Sequence, residues 1–145
     1  MHEWQEWFVD SLGCVKVLMI AAVFVLGAVT MQAADNRFFE MRTYTAHPGK
    51  LGDLNKRFRE HTNRLFVKHG MTLIGYWTPT DGPEAENTLV YILAYPSREA
   101  RDESWKAFRA DPDWIKASTD SEKNGKIVLK VESKFLTPTG YSPIK

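Results

Sequence analysis

The spacing of hydrophobic residues along the chain changes between residues 38–44 and residues 51–69. Residues 38–44 alternate with a period of two, which predicts a β-strand. Residues 51–69 place their apolar side chains on one stripe at about 100° per residue, which predicts an amphipathic helix. Pro48-Gly49 separates the two elements, because proline lacks a backbone donor and glycine accepts a positive φ. Residues 71–78 then predict a second strand.

The same order of elements recurs later in the chain. Residues 88–95 are apolar at both alternating sets of positions, which is typical of a strand covered on both faces of its sheet. Ser97 is a favourable N-cap for a helix over residues 98–110, and Asp111 caps a short turn that follows it. Residues 126–136 alternate again, which predicts a last strand with one apolar and one polar face.

These elements give the order βαββαβ. This is the ferredoxin-like arrangement of an α+β protein, an antiparallel sheet with two helices on one face. The other face of the sheet then has no helix. A second copy of the sheet is the simplest cover for the apolar residues on that face, so we expect a homodimer with an isologous interface.

Residues 1–34 differ from the rest of the chain. Residues 17–29 form an uncharged run that is followed by the small residues Ala33-Ala34, which is typical of a secretory signal peptide. The preceding residues are acidic rather than basic, so an uncleaved membrane anchor is the alternative. The absence of arginine before Arg37 disfavours a mitochondrial transit peptide. We therefore expect a periplasmic or secreted domain over residues 35–145, attached to a membrane only if the leader stays uncleaved.

The composition narrows the classes of function. Removal of residues 1–34 takes away one of the 19 basic and three of the 18 acidic side chains, which leaves a net charge of +3. This charge is small and dispersed, so we expect no nucleic-acid partner. Cys14 is the single cysteine and lies in the leader, so we expect no disulfide in the domain.

Glu40, Arg42 and Tyr44 lie together on one face of the first strand. A buried ion costs several kcal/mol unless it is paired. If this face points into the dimer, Glu40 and Arg42 therefore either form a structural ion pair at the interface or bind a ligand. In the second interpretation Arg42 clamps a small anionic or carbonyl ligand, and Tyr44 donates a hydrogen bond to it.

His69 and Trp77 complete the candidate ligand-binding residues. His69 falls on the apolar stripe of the first helix near its last turn, where packing or the helix dipole also explains a histidine. Trp77 belongs to an aromatic set that either packs in the core or lines a pocket. The sequence contains no HExxH, CxxC, phosphate-binding loop or serine-nucleophile signature. We therefore assign no catalytic residue and expect neither a metal nor another cofactor; haem bound by a histidine is the alternative.

Several segments together resemble the NIPSNAP family, over residues 37–145 of the chain. They are Phe39-Glu40-Met41-Arg42-Thr43-Tyr44, Pro48-Gly49-Lys50, Gly75-Tyr76-Trp77, Tyr91-Ile92-Leu93-Ala94-Tyr95 and Asp111-Pro112-Asp113-Trp114. The resemblance implies a dimeric α+β barrel, in which two ferredoxin-like sheets face each other, and it implies no agreed enzymatic activity. The wider fold group includes cofactor-free and haem-degrading monooxygenases, but this is an analogy of fold alone.

The sequence thus predicts an exported homodimer that binds a small molecule or a partner protein. One alternative is an enzyme similar to the cofactor-free or haem-using monooxygenases of the dimeric α+β-barrel group. Another is an interaction module that uses only its exposed surface. A binding protein or an enzyme requires a concave site of about 300 Å³ or more.

Overall fold

A computed structural model describes residues 37–145 of the chain. Its strands are β1 (Phe38–Ala46), β2 (Thr72–Trp77), β3 (Thr88–Tyr95) and β4 (Val128–Leu136). They form one antiparallel sheet in the order β2-β3-β1-β4. The predicted α+β, ferredoxin-like sheet is confirmed. The predicted signal peptide or anchor lies outside the described residues.

Helices connect β1 to β2 and β3 to β4. The first connection contains α1 (Leu51–Arg57), a π-helical turn (Phe58–Thr62) and α2 (Asn63–Lys68), which follow one another without a break. The second connection contains α3 (Arg98–Ala110) and α4 (Pro112–Ser121), and a 3-10 turn (Pro83–Glu86) precedes β3. No helix among residues 37–145 has the length and apolar character needed to cross a membrane.

Side-chain caps set the starts of α3 and α4. The Ser97 hydroxyl accepts a hydrogen bond from the backbone N–H of Ala100 at 3.2 Å. Asp111 Oδ1 accepts one from the backbone N–H of Asp113 at 2.8 Å, so both predicted N-caps are confirmed. The prediction of only a short turn after Asp111 is wrong. Asp111 and Pro112 instead begin a helix of 10 residues, since cap and proline both favour a first helical turn.

The π-helical turn is a feature that the apolar periodicity did not predict. The Thr62 hydroxyl donates to the backbone carbonyl of Arg57, five residues earlier, at 3.2 Å. Thr62 is only 1% exposed and lies on the buried side of the helix with Phe58 and Phe66. A polar residue in a buried position interrupts the apolar pattern, so the stripe alone does not reveal the wider turn.

Aromatic rings fill the layer between the sheet and the helices. Tyr91 in β3 is fully buried and meets the ring of Phe58 edge-on, with 5.1 Å between the centroids. Phe66 of α2 contacts both Tyr91 and Trp105 of α3. These contacts hold both helical connections against the same face of the sheet.

β4 is more exposed than its alternating pattern predicted. Leu129 and Val131 are 60% and 40% exposed, although Val131 pairs with Tyr44 on the helix-facing side of the sheet. β4 is an edge strand and lies beyond the main contacts that the helices make with β2 and β3. The apolar side chains of residues 126–136 are thus covered only in part, since Ile127 is buried while Leu129 and Val131 are not. Alternation shows which side chains share a face, but burial requires an element that covers it.

The sheet face without helices is partly occupied by the end of the chain. Residues 137–144 and the sheet side chains Phe39, Ile74 and Ile92 enclose an apolar groove of about 360 Å³. Arg37 Nε donates a hydrogen bond to the backbone carbonyl of Lys145. The predicted absence of a helix from this face is confirmed within the described residues, but part of the face is covered by the chain itself.

Candidate functional site

Glu40 is the buried charge at the centre of the candidate site. It lies on β1, opposite Leu93 of β3 and Phe135 of β4, and its side chain is 0% exposed. The side chain is on the helix-facing side of the sheet, where it meets residues of α3. The expected ion pair with Arg42 is present, and residues of the same chain cover Glu40.

Two arginines neutralise the Glu40 carboxylate. Arg101 of α3 binds both oxygens, with Nη2 at 2.7 Å from Oε1 and Nε at 2.8 Å from Oε2. Arg42 Nη1 donates to Oε1 at 2.7 Å. The two-point contact of Arg101 fixes the angle of the carboxylate as well as its position, since a guanidinium fork matches both oxygens at once.

Three uncharged groups complete the hydrogen bonding of Glu40. Ser133 of β4 donates to Oε1 at 2.5 Å, and Trp105 Nε1 donates to Oε2 at 2.9 Å. The Tyr95 hydroxyl donates to Oε2 at the longer distance of 3.3 Å. The carboxylate therefore links β1 to β3, β4 and α3 in one network.

The protonation state of Glu40 follows from these contacts. Burial by itself raises the pKa of a carboxyl group. The hydrogen bonds from Arg101, Ser133 and Arg42 outweigh the burial and lower the pKa of Glu40 from 4.5 to about 2. One carboxylate thus faces two guanidinium groups, and Asp102, at 2.9 Å from Arg101 Nη1, supplies a second carboxylate at the exposed edge of the network.

Arg42 has hydrogen-bonding capacity that Glu40 does not use. Its guanidinium carbon lies 4.3 Å from the centroid of the Trp105 ring, which is a cation–π contact. Its Nε is buried and has no hydrogen-bond partner among residues 37–145. A buried donor without an acceptor costs about 1–3 kcal/mol. An additional oxygen atom at Nε would remove this cost.

Three tyrosines stack beside Arg42. Tyr91 stacks on Tyr44 and on Tyr76, with 5.5 Å between the ring centroids in each pair. The hydroxyls of Tyr76 and Tyr91 are buried and have no hydrogen-bond partner within the described part of the chain. Burial raises the pKa of both phenols, so both are protonated donors at neutral pH. We refer to Arg42, Tyr44, Tyr76 and Tyr91 as the Arg42–tyrosine cluster.

His69 lies outside this cluster. Its Nε2 is 2.7 Å from Asp111 Oδ2, and Lys68 Nζ contacts the same oxygen at 2.7 Å. These contacts join the end of α2 to the junction between α3 and α4, and they give His69 a structural explanation. In the part of the chain that the structure describes, no three His, Cys, Asp or Glu side chains are grouped to hold a metal ion.

Trp77 also lies apart from the other candidate residues. It is 51% exposed and pairs with Val90, whereas Tyr76 pairs with the buried Tyr91. Its ring packs over Gly75, where an added Cβ would come within 2.6 Å of it. The expectation that Trp77 belongs to the aromatic core is therefore wrong. Trp77 pairs with Val90, which pairs in turn with Thr43, so Trp77 is directed to the face of the sheet opposite the helices.

The structure adds residues that the sequence reasoning did not select as site residues: Tyr76, Tyr91, Tyr95, Arg101, Trp105 and Ser133. One signal for two of them is present in the sequence. Arg101 and Trp105 are four residues apart on a helix, so they lie on the same face. The other contacts join distant parts of the chain, and Ser133 is 93 residues from Glu40.

The region that contains this site has a recognisable family pattern. The model of the NIPSNAP family matches residues 39–143. The chain belongs to the NIPSNAP family. The matched range includes Glu40 and every residue of the Arg42–tyrosine cluster, and it confirms the resemblance found in the sequence.

Curated relatives of this NIPSNAP protein are animal NipSnap proteins. It is 31% identical over 80 residues to protein NipSnap homolog 3A of Homo sapiens, which covers 55% of this chain and 31% of that protein. It is 25% identical over 124 residues to a putative NipSnap protein of Caenorhabditis elegans, which covers 79% of this chain and 20% of that protein. The chain thus spans less than a third of the length of these relatives.

Solved structures of bacterial NIPSNAP proteins share the fold. A NIPSNAP family protein with unknown function from Agrobacterium tumefaciens has a TM-score of 0.67 at 25% identity, over 79% of this chain and 97% of that chain. An uncharacterized NIPSNAP-like domain protein from Burkholderia xenovorans has a TM-score of 0.64 at 22% identity, over 74% and 89% of the two chains. These similarities support the family and the fold, and they assign no reaction.

Proposed function

We propose that this NIPSNAP protein binds a small molecule through a carbonyl or carboxylate oxygen at the Arg42–tyrosine cluster. The observation that carries the proposal is the set of buried donors without a partner: Arg42 Nε and the hydroxyls of Tyr76 and Tyr91. Folded proteins leave few buried donors unpaired. Three such donors side by side on adjacent strands therefore suit an acceptor supplied from outside the chain.

The Glu40 network supports this role by positioning Arg42. Glu40 holds Nη1 of Arg42, and the Trp105 ring lies against the guanidinium plane. Arg42 is only partly buried, with 14% of its side chain exposed, so the cluster is reached from solvent at this point. The positive charge of Arg42 itself favours an anionic or strongly polarised oxygen over a cation.

The decisive variant is Tyr91→Phe, which removes one hydroxyl and leaves the ring stack in place. We expect the full chain recovered from its host to carry a bound small molecule, seen as extra mass in native mass spectrometry. Tyr91→Phe should lose most of that mass and melt no lower than the ligand-free wild type, because its hydroxyl has no partner within residues 37–145.

Tyr141→Phe is the matched control, because Tyr141 is 90% exposed in the C-terminal segment. It should retain the bound molecule like the wild type. Wild-type protein without extra mass would contradict the proposal. Equal retention by Tyr91→Phe would contradict the assignment of Tyr91 to the binding site.

We also propose that the protein is a homodimer in which two sheets meet through their helix-free faces. Ile92 lies on this face, and its apolar neighbours Phe39 and Ile74 line the same groove. Ile92→Glu should therefore convert a dimer into a monomer at micromolar concentration in size-exclusion chromatography with light scattering. Ile115→Glu, at a 54% exposed position on α4, should stay dimeric. A monomeric wild type would count against the dimer.

Two further predictions remain without structural support of their own. Export to the periplasm or the exterior rests on residues outside the described part of the chain. An activity similar to the cofactor-free or haem-using monooxygenases rests on the shared fold, and a fold does not identify a reaction. Binding of a partner protein likewise stays an alternative to binding of a small molecule.

A further inference from the structure

A second cleft lies away from Glu40 and the Arg42–tyrosine cluster. It has a volume of about 260 Å³ and separates α1 and the π-helical turn from α4. Arg57 and Glu60 form part of one wall, and Ala117 and Ser121 form part of the other. No residue of the Arg42–tyrosine cluster lines this cleft.

Arg57 is a buried cation in the wall of this cleft. The residue is 5% exposed, yet its Nη1 makes only long hydrogen bonds, at 3.3 Å to Ser121 Oγ and 3.4 Å to Glu122 Oε1. Its Nε is buried and unpaired within the described residues. Arg101, in contrast, uses Nε and Nη2 at 2.8 and 2.7 Å on one carboxylate. The guanidinium of Arg57 therefore has the geometry of a carboxylate clamp without a closely bound carboxylate.

Two of the three acidic side chains that line the cleft are paired with lysines, and Glu60 is the third. Asp53 pairs with Lys50 at 3.0 Å, and Asp120 pairs with Lys123 at 2.8 Å. Glu122, the one acidic partner of Arg57 among residues 37–145, also pairs with Lys126 at 3.0 Å. Because these carboxylates also pair with lysines, they neutralise the charge of Arg57 only in part.

We propose that Arg57 binds the carboxylate of a small molecule that carries hydroxyl or ammonium donors at its other end. The fork of a guanidinium matches a carboxylate. The carboxylate of Glu60 lines the same cleft and can accept from the ligand donors. It also disfavours a phosphate dianion, because like charges in a small cleft repel. The volume is below the range of about 300–1,000 Å³ for drug-sized ligands, so the occupant is small.

The π-helical turn contributes to the shape of this site. The turn begins immediately after Arg57. Its Thr62 hydroxyl donates a hydrogen bond to the backbone carbonyl of Arg57. This hydrogen bond restrains the backbone carbonyl of Arg57. Turns of this kind are frequent at functional sites, and this one adjoins the proposed ligand-binding arginine.

The proposal is tested by nuclear magnetic resonance of the full chain with the side-chain Nε–Hε signals of arginine assigned. Glycolate, glycine, acetate and inorganic phosphate are titrated separately at an ionic strength held constant with sodium chloride. We expect saturable shifts of the Arg57 signal with glycolate or glycine, with half-saturation at least about threefold lower than with acetate. Absence of saturation with both probes, or tighter binding of phosphate, would overturn the proposal.

Variants separate this cleft from the site of the proposed function. Arg57→Lys keeps the charge but loses the fork, and should raise the half-saturation concentration at least about tenfold. Arg59→Lys, at an exposed position of the same helical segment, should leave it unchanged. Tyr91→Phe should also leave it unchanged, so failure at one site is distinguishable from failure at the other.

A cavity-filling variant keeps the test decisive if Arg57→Lys does not fold. Ala117 is 7% exposed and lines the cleft, so Ala117→Met places a longer side chain inside it while Arg57 is retained. We expect this variant to lose the saturable shifts of the Arg57 signal. Unchanged binding in folded Ala117→Met, or in folded Arg57→Lys, would show that the ligand does not occupy this cleft.

Discussion

Replacement of Glu40 by glutamine should lower the free energy of unfolding by about 3–5 kcal/mol, because it leaves two partly buried guanidinium groups without the buried carboxylate that they share. Glu40 is 0% exposed and accepts hydrogen bonds from Arg42 and Arg101. A glutamine side chain retains one acceptor oxygen, but its amide group places donors opposite donors. The loss is therefore larger than that of one ordinary hydrogen bond.

Urea unfolding at pH 7 measures this change, with Glu132→Gln as the control. Glu132 is also on the sheet, but its side chain is 55% exposed and pairs with Lys130 at 3.1 Å. Its replacement should change the free energy of unfolding by less than about 0.5 kcal/mol. If Glu40→Gln changes stability as little as Glu132→Gln does, the network does not hold the fold together as its geometry indicates.

The order of the elements was predictable because its signals are local. The alternation in β1, the Pro48-Gly49 turn and the caps at Ser97 and Asp111 each depend on a few neighbouring residues. Local signals also identified β3 as a strand, since its residues are apolar at both alternating sets of positions. For this reason the βαββαβ order was recovered without any long-range information.

Burial was less predictable, because it depends on elements that are distant in sequence. Leu129 and Val131 alternate like core residues but are exposed, since no helix covers this edge. Trp77 and Trp105 have the same side chain, yet the first is 51% exposed and the second 4%. A sequence pattern identifies the apolar side of a strand, and only the topology decides whether that side is covered.

The candidate site was predictable only in part. A charged pair in an otherwise apolar strand identified Glu40 and Arg42 as residues that need partners. The main partner of Glu40, Arg101, lies 61 residues away, and Ser133 lies 93 residues away. The sequence did not identify Tyr76 and Tyr91 as site residues, because tyrosine is common both in strands and in hydrophobic cores. Their importance comes from the absence of a hydrogen-bond partner within residues 37–145.

Acidification should remove much of the stability that Glu40 provides. The pKa of Glu40 is about 2 in the folded protein and 4.5 without the network, so the unfolded chain binds a proton first as the pH falls. The contribution is therefore complete above about pH 5 and is lost between about pH 4.5 and 2. A pKa difference of this size corresponds to about 3 kcal/mol.

The comparison of wild type with Glu40→Gln isolates this contribution, because all other carboxylates are present in both proteins. The difference between their free energies of unfolding should be largest at pH 7 and should shrink by about 3 kcal/mol at pH 2. Urea unfolding of both proteins at pH 7, 4 and 2.5 measures this difference in the free energy of unfolding. A difference that stays constant from pH 7 to 2.5 would mean that the pKa of Glu40 is the same in the folded and unfolded protein, so that the network does not stabilise the ionised form. A difference that grows on acidification would mean that Glu40 is already protonated in the folded protein at pH 7, since the folded protein would then bind a proton that the unfolded chain has released.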